Sequence, residues 1–162
     1  MLDKTKKRVL VVDDHPSIRF LLRSLVETED FTVCGEAVDG REAVEKAPQL
    51  RPDLILLDFS MPNMNGAEAT PLLKKLMPQV PIILFTLHED SVGNALAAAM
   101  NVDKVIAKPD GMSKLLECMR SVLSLPPPSQ PATVGPLELP IGPTPEINQL
   151  PQPAPIKEKP PE

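Results

Sequence analysis

Four of the predicted strands end in charged or hydroxyl side chains that could share one chemistry. Asp13 and Asp14 follow one apolar run, Asp58 closes another, and Thr86 and Lys108 end two more. The carboxyl ends of parallel strands meet at one edge of an open α/β sheet, where such folds bind their ligands. We therefore expect three carboxylates, a hydroxyl and an ammonium to lie close together.

The chemistry that suits this set of groups is phosphoryl transfer. Neighbouring carboxylates repel, and each disfavours the ionised form of the others. Mg2+ would relieve the repulsion, because it prefers oxygen ligands and is held by one or two carboxylates together with water and phosphate oxygens. A hydroxyl and an ammonium beside the metal would bind the remaining phosphoryl oxygens. The sequence therefore predicts that the Asp58 carboxylate acts as a nucleophile and forms an aspartyl phosphate.

The elements between these residues alternate between strand and helix patterns, which predicts a doubly wound parallel sheet. Strands are predicted at about 8–13, 31–38, 54–58, 81–86 and 103–108, and helices at about 16–26, from 40 onward, 66–77, 89–100 and 112–123. Asp39 is predicted to cap the second helix, and Pro71 to restart or kink the third. His15 is assigned to the start of the first helix rather than to the chemistry.

Five motifs in this order resemble the response-regulator receiver domain of the CheY-like family. They are the acidic pair Asp13-Asp14, the acid Asp58, the segment Met61-Pro62 with Gly66, the hydroxyl residue Thr86, and the pair Lys108-Pro109. The match covers about residues 6–125, and the segments after Asp58 and Thr86 look most like NarL-type receivers. The resemblance implies an α/β, flavodoxin-like (βα)5 three-layer sandwich with a five-stranded parallel sheet in the order 2-1-3-4-5.

The resemblance also implies a metal site. Asp14, Asp58 and the backbone carbonyl of Ser60 would ligate Mg2+ directly, and Asp13 would act on the metal through water and charge. Thr86 would hydrogen-bond a phosphoryl oxygen once Asp58 is modified.

Further roles come from the same resemblance. Lys108 would pair with the phosphoryl group, and its bond to Pro109 would be cis. Ser60 and His88 would flank the phosphoryl group and set its lifetime, although His88 also fits an exposed residue at a helix start. Receivers usually carry an aromatic residue three positions before the lysine. Here that position is Val105, which has no ring to swing inward on phosphorylation.

Composition excludes several classes of function. The chain has 162 residues, a net charge of -5 and a pI of about 5.1, which argues against a broad nucleic-acid surface. No apolar stretch approaches the ~20 residues of a membrane helix, and no cleavage site follows the basic start, so we expect a cytoplasmic location. Cys34 and Cys118 fit a reducing compartment as two thiols rather than as a disulfide or a metal site.

The composition changes abruptly after residue 125. Thirteen of the 21 prolines lie in residues 126–162, which predicts a disordered, partly polyproline-II tail. The tail would be a ligand for a proline-binding module, a spacer, or a solubilising segment with no partner. NarL-type regulators usually carry a C-terminal helix-turn-helix. The tail contains none, so no DNA-binding domain is expected.

The first functional hypothesis is a single-domain, non-enzymatic response regulator in a phosphorelay. A histidine kinase or histidine phosphotransfer protein would phosphorylate Asp58, and output would be a downstream protein, a homodimer, or removal of phosphate from a kinase. The alternative is a binding module or scaffold that works without phosphorylation, which Val105 and the tail support. A phosphoaspartate-forming hydrolase is disfavoured, because the chain has no cap domain and no Asp-x-Asp motif after the first strand.

Overall fold

The computed structural model describes residues 5–28, 30–86, 98–108 and 112–125. The strands are β1 (Lys7–Val12), β2 (Phe31–Ala37), β3 (Leu54–Asp58), β4 (Ile82–Thr86) and β5 (Lys104–Ala107). The helices are α1 (Pro16–Val26), α2 (Gly40–Leu50), α3 (Gly66–Leu76) and α4 (Leu115–Val122). Most of the helix predicted at 89–100 and the whole proline-rich tail lie outside the described residues. Within the described ranges, no helix has the length and apolar character of a membrane span.

The five strands form one parallel sheet in the order β2-β1-β3-β4-β5, which confirms the order implied by the resemblance. The register places Val12 beside Leu57, and Thr86 beside Ala107, so the carboxyl ends of the strands share one edge. The strand order reverses between β1 and β3, and ligands of doubly wound folds bind at such a switch point. Asp58, at the end of β3, therefore lies where this topology places a site.

Each face of the sheet packs against helices through its own apolar cluster. Val9 and Phe85 belong to the cluster that includes α1 and α4, whereas Leu10 and Leu84 belong to the cluster that includes α2 and α3. Neighbouring strand residues point to opposite faces, because side chains alternate along a strand. The central strands β3 and β4 are buried at every position, as expected for parallel strands covered on both faces. The predicted three-layer sandwich is confirmed.

Helix α3 continues through Pro71 as a single helix, so the prediction that Pro71 starts a new turn is wrong. The start of the helix is fixed upstream by a capping box. The Asn65 side chain accepts a hydrogen bond from the Glu68 backbone at 3.0 Å, and the Glu68 carboxylate accepts one from the Asn65 backbone at 2.9 Å. An already capped helix can accommodate a proline that removes one intrahelical hydrogen bond.

The other described helix starts follow local sequence signals. Helix α1 begins at Pro16, as predicted, and proline suits the first helical turn. Asp39 Oδ1 accepts a hydrogen bond from the Glu42 backbone at 2.8 Å, which confirms the predicted cap of α2. Helix α4 differs from the prediction because a 3-10 turn precedes it and the α-helix begins at Leu115.

Candidate functional site

Three buried charged side chains meet at the carboxyl edge of the sheet. Asp13 follows β1, Asp58 ends β3 and Lys108 follows β5, and their exposed fractions are 1%, 4% and 6%. The Lys108 ammonium lies 2.6 Å from Asp13 Oδ2 and 2.9 Å from Asp58 Oδ1. The predicted convergence of these three residues is therefore present. Buried charges are tolerated only when they are paired, and here one cation is shared by two anions.

The surroundings of this cluster shift the acid–base behaviour of two of its members. Burial raises the pKa of Asp58, and the hydrogen bond and charge of Lys108 offset only part of that effect. Burial acts to lower the pKa of Lys108, but its hydrogen bonds to Asp13 and Asp58, together with the charges of the two carboxylates, outweigh burial and raise the pKa. Desolvated groups with a specific charge partner are typical of functional sites.

Asp14 carries a carboxylate oxygen that lacks a hydrogen bond. Its Oδ1 atom is buried and accepts no hydrogen bond from any residue that the structure describes. His15 Nδ1 lies 2.8 Å from this oxygen, but not in the geometry of a hydrogen bond. Asp13, Asp14 and His15 offer ligand atoms that all lie within 4.8 Å of one another. A hard cation fits this place, because the oxygen needs a partner and the neighbouring donors are mainly carboxylates.

His15 lies closer to the chemistry than the sequence indicated. It is the residue before the first turn of α1, as predicted, but its side chain does not cap the helix. Its backbone N–H donates to Asp13 Oδ1 at 2.9 Å, and its ring lies against both acids. His15 therefore belongs to the helix start and also borders the site.

Arg19 is a site residue that the sequence analysis missed. Its Nη1 atom donates to the backbone carbonyls of Asp13 at 2.8 Å and Asp14 at 3.2 Å, and its Nε donates to Glu36 Oε2 at 3.2 Å. The arginine thus ties the backbone of the acidic pair to α1 and to β2. The only hint in the sequence was the position of Arg19, five residues after Asp14 and early in the predicted helix. Spacing alone does not show where its side chain points.

Replacing Arg19 with lysine should loosen the acidic pair, because lysine lacks the planar fork that reaches several acceptors. We expect a loss of about 1–2 kcal/mol in the free energy of unfolding, measured in urea without metal. Arg23→Lys is the matched control. Arg23 Nε donates to Glu36 Oε1 at 2.7 Å but, within the described residues, Arg23 has no hydrogen bond to the carbonyls of Asp13 and Asp14. Equal losses in the two variants would show that pairing with Glu36, and not the carbonyl contacts, stabilises this region.

Gly66 allows α3 to approach the backbone of Asp58. Its N–H donates to the Phe59 carbonyl at 2.9 Å. A Cβ atom at this position would lie 2.5 Å from the Asp58 carbonyl oxygen and 3.0 Å from Phe59 Cα. Both are backbone atoms, so a side chain here would displace the strand end that carries Asp58.

Gly66→Ala should therefore impair the site as well as the fold. We expect a loss of about 1–3 kcal/mol in stability, as for other overpacked positions, and slower phosphoryl uptake in the folded fraction. The melting temperature and the phosphoryl adduct formed with acetyl phosphate and Mg2+ would be measured on the same preparation. Gly35→Ala is the control, because the added methyl would meet only the end of the flexible Leu50 side chain, with Cδ1 at 2.5 Å. Unimpaired phosphoryl uptake by Gly66→Ala would contradict the role assigned to this close approach in positioning Asp58.

Two further predicted site residues lie at the same edge of the sheet. Thr86 is buried at the end of β4, and Ser60 is exposed two residues after Asp58. Their positions agree with the roles expected for them, and the roles themselves stay predictions.

The predicted switch position lies on β5. Val105 is half-buried, pairs with Leu84, and packs at the margin of the cluster that includes α2 and α3. His88 and Pro109 lie outside the described residues, so the tuning role of His88 and the cis bond at Pro109 also stay predictions.

Known proteins are similar to this chain in sequence and in fold. Residues 9–120 match the family described as response regulator receiver domain. The chemotaxis protein CheY of Thermotoga maritima is 35% identical over 116 residues, which cover 72% of this chain and 97% of that protein. The response regulator protein VraR of Staphylococcus saprophyticus is 39% identical over 116 residues, which cover 70% of this chain and 54% of that protein. The chain thus spans about half the length of its VraR relatives.

The solved structures agree with the sequence comparisons. The response regulator domain of Thermotoga maritima CheB is 34% identical, with a TM-score of 0.68, and the match covers 75% of this chain and 99% of that one. Receiver domains bind Mg2+ at an acidic pocket, and in this chain Asp13, Asp14 and His15 form a group of side chains that could hold a metal ion. The chain belongs to the response regulator receiver domain family, whose members act in phosphorelay signalling.

Proposed function

We propose that Asp58 accepts a phosphoryl group from a histidine kinase or a histidine phosphotransfer protein. The observation that carries the proposal is the Lys108 ammonium, buried between Asp13 and Asp58 at 2.6 and 2.9 Å. A surface that only binds a partner has no need of three desolvated charges, which are costly to bury. This cost argues against the alternative of a scaffold that works without phosphorylation.

The proposed step is a displacement at phosphorus. A carboxylate oxygen of Asp58 forms an O–P bond as the P–N bond of the donor phosphohistidine breaks, and the imidazole leaves with a proton taken from water. Lys108 is placed to pair with the phosphoryl oxygens as negative charge accumulates on them. Thr86, at the end of the neighbouring strand, would donate a hydrogen bond from its hydroxyl to an oxygen of the same group.

The residues that would hold Mg2+ are Asp14, Asp58 and the carbonyl of Ser60, with Asp13 acting through water. Bound there, the ion would offset charge on the phosphoryl oxygens. The buried Asp14 Oδ1, which accepts no hydrogen bond from the described residues, supports this assignment.

The proposed output is a change in affinity for a protein partner, which includes a second copy of the chain. Receiver domains are in general signalling modules rather than enzymes, and the same is proposed here. The added charge would act on Thr86 and through it on the loop that follows, which lies outside the described residues. A cytoplasmic location belongs to the proposal, since Cys34 and Cys118 are free thiols and such thiols are typical of a reducing compartment.

The test is phosphoryl transfer from acetyl phosphate, recorded as the intact mass of the protein. The proposal predicts an adduct that forms with Mg2+ and does not form when EDTA replaces it. A folded protein that gains no adduct under either condition would contradict the proposal.

A further inference from the structure

The start of α2 is joined to the loop that follows Asp58, residues 59–65, which we term the phosphoacceptor loop. The Asn63 side-chain amide donates to Asp39 Oδ2 at 2.8 Å, and the Gly40 backbone N–H donates to the Met64 carbonyl at 2.9 Å. A Cβ atom on Gly40 would lie 2.8 Å from the same carbonyl and 2.7 Å from Ala69 Cβ. The helix start is therefore in direct contact with the loop and with α3.

Asp39 uses its two carboxylate oxygens for two different elements. Oδ1 caps α2 by accepting from the Glu42 backbone, while Oδ2 accepts from Asn63. Two hydrogen bonds hold the pKa of Asp39 below its usual range. The larger effect comes from the Glu42 backbone and the next from the Asn63 side chain. The carboxylate is thus ionised at neutral pH, and hydrogen bonds to an ionised acceptor are stronger than neutral ones. A helix cap needs only one acceptor, so the second oxygen serves the loop.

Asn63 is the residue at which the loop turns. Its φ angle is 64°, in the left-handed region that asparagine tolerates better than most residues. It lies three positions after Ser60 and five after Asp58 in the chain. The bond to Asp39 therefore holds the loop at its turn, while the Gly66 N–H holds it at Phe59.

We infer that Asp39 is a positioning residue for phosphorylation. Through Asn63 it holds the phosphoacceptor loop, and with it the backbone of Ser60, in the conformation that binds Mg2+. Asp39 is not among the residues assigned to hold Mg2+ or the phosphoryl group, so its effect would pass through Asn63. A loop that is ordered before binding loses less conformational entropy when the ion arrives, which favours tight binding. The inference rests on the proposed function, because Mg2+ binding by this loop is part of that proposal.

Two substitutions separate this role from helix capping. Asp39→Ser keeps a cap for α2, because serine is also a good N-cap residue, but it lacks the second oxygen that Asn63 needs. Asn63→Gly keeps the left-handed turn and removes only the amide. We expect each to raise the Kd for Mg2+ about tenfold, measured by titration calorimetry on the full chain, as for other residues that support a metal site indirectly. The double variant should be no weaker than the weaker single variant, because both remove the same hydrogen bond.

A matched control and a metal-free measurement complete the test. Asn101→Gly makes the same exchange at another left-handed position, φ 54°, that precedes β5 at the opposite edge of the sheet, and should leave the Kd unchanged. Without Mg2+, amide hydrogen exchange within residues 59–65 should be faster in Asp39→Ser and Asn63→Gly than in the wild type.

The outcomes separate this inference from the proposed function. Unchanged Mg2+ affinity and unchanged loop exchange in both variants, with only the melting temperature lowered, would overturn the inference and leave the proposed function standing. A wild-type chain that neither binds Mg2+ nor gains a phosphoryl adduct would overturn the proposed function itself.

Discussion

Asp58→Asn gains no phosphoryl group from acetyl phosphate and Mg2+, under conditions in which the wild-type protein gains a mass adduct. This result is expected because an amide oxygen is a poor nucleophile and carries no charge to bind the metal. The loss should be complete within the detection limit of intact-mass spectrometry. An adduct at the wild-type level would instead place the phosphoacceptor on another residue, with Asp13 and Asp14 as the next acids to test.

The Asp58→Asn variant should remain folded, which makes its loss of phosphorylation interpretable. Burial raises the pKa of Asp58, so holding this carboxylate ionised at neutral pH opposes folding, and asparagine removes that cost. Lys108 keeps its contact with Asp13 at 2.6 Å. Asp53→Asn is the matched control, because Asp53 precedes β3 at the opposite edge of the sheet and accepts from the Arg8 backbone at 2.8 Å. That variant should take up phosphate normally.

Asp58→Asn and Asp53→Asn also test the proposed output, which is a change in affinity for a protein partner. If a protein partner binds the phosphorylated domain, Asp58→Asn should bind it no better after treatment with acetyl phosphate, whereas Asp53→Asn should respond as the wild type does. A partner that binds all three proteins equally, with and without treatment, would favour the scaffold hypothesis.

The convergence of Asp13, Asp58 and Lys108 could be predicted because it follows from one rule, that parallel strands end at a common edge. The apolar runs that build β1 and β3 are long and branched, so their type and their ends are clear in the sequence. The strand order required the resemblance to a family, since nothing in the residues themselves states which strands are neighbours.

Contacts between distant elements could not be predicted from spacing. Arg19 reaches the carbonyls of the acidic pair, and Asp39 reaches Asn63, only because the fold brings α1 and α2 to the site edge. A local rule also gave a wrong alternative at Pro71, where the helix continues because the capping box at Asn65 had already fixed its start. Tertiary contacts and neighbouring caps override the preference of a single residue.

The largest effect on stability is expected from Lys108→Met. Methionine keeps the volume and flexibility of the lysine stem but removes its charge, which leaves Asp13 and Asp58 buried without their cation. Removing one partner from a buried ion pair costs about 3–5 kcal/mol, and we expect a loss of this size in urea unfolding with EDTA present. Lys104→Met is the control, since Lys104 is exposed at the amino-terminal end of β5, the end opposite to Lys108, and its replacement should change stability by less than about 0.5 kcal/mol.

The cause of the Lys108→Met effect can be separated from lost packing. If uncompensated charge is responsible, Mg2+ should stabilise this variant more than the wild type, because a cation bound by the acids replaces the missing one and binding adds to the free energy of unfolding. Adding Asp13→Asn should recover part of the stability without metal, because it removes one of the two unpaired carboxylates. If neither Mg2+ nor Asp13→Asn restores any stability, the cost comes from packing, and the role assigned to the buried ion cluster would have to be abandoned.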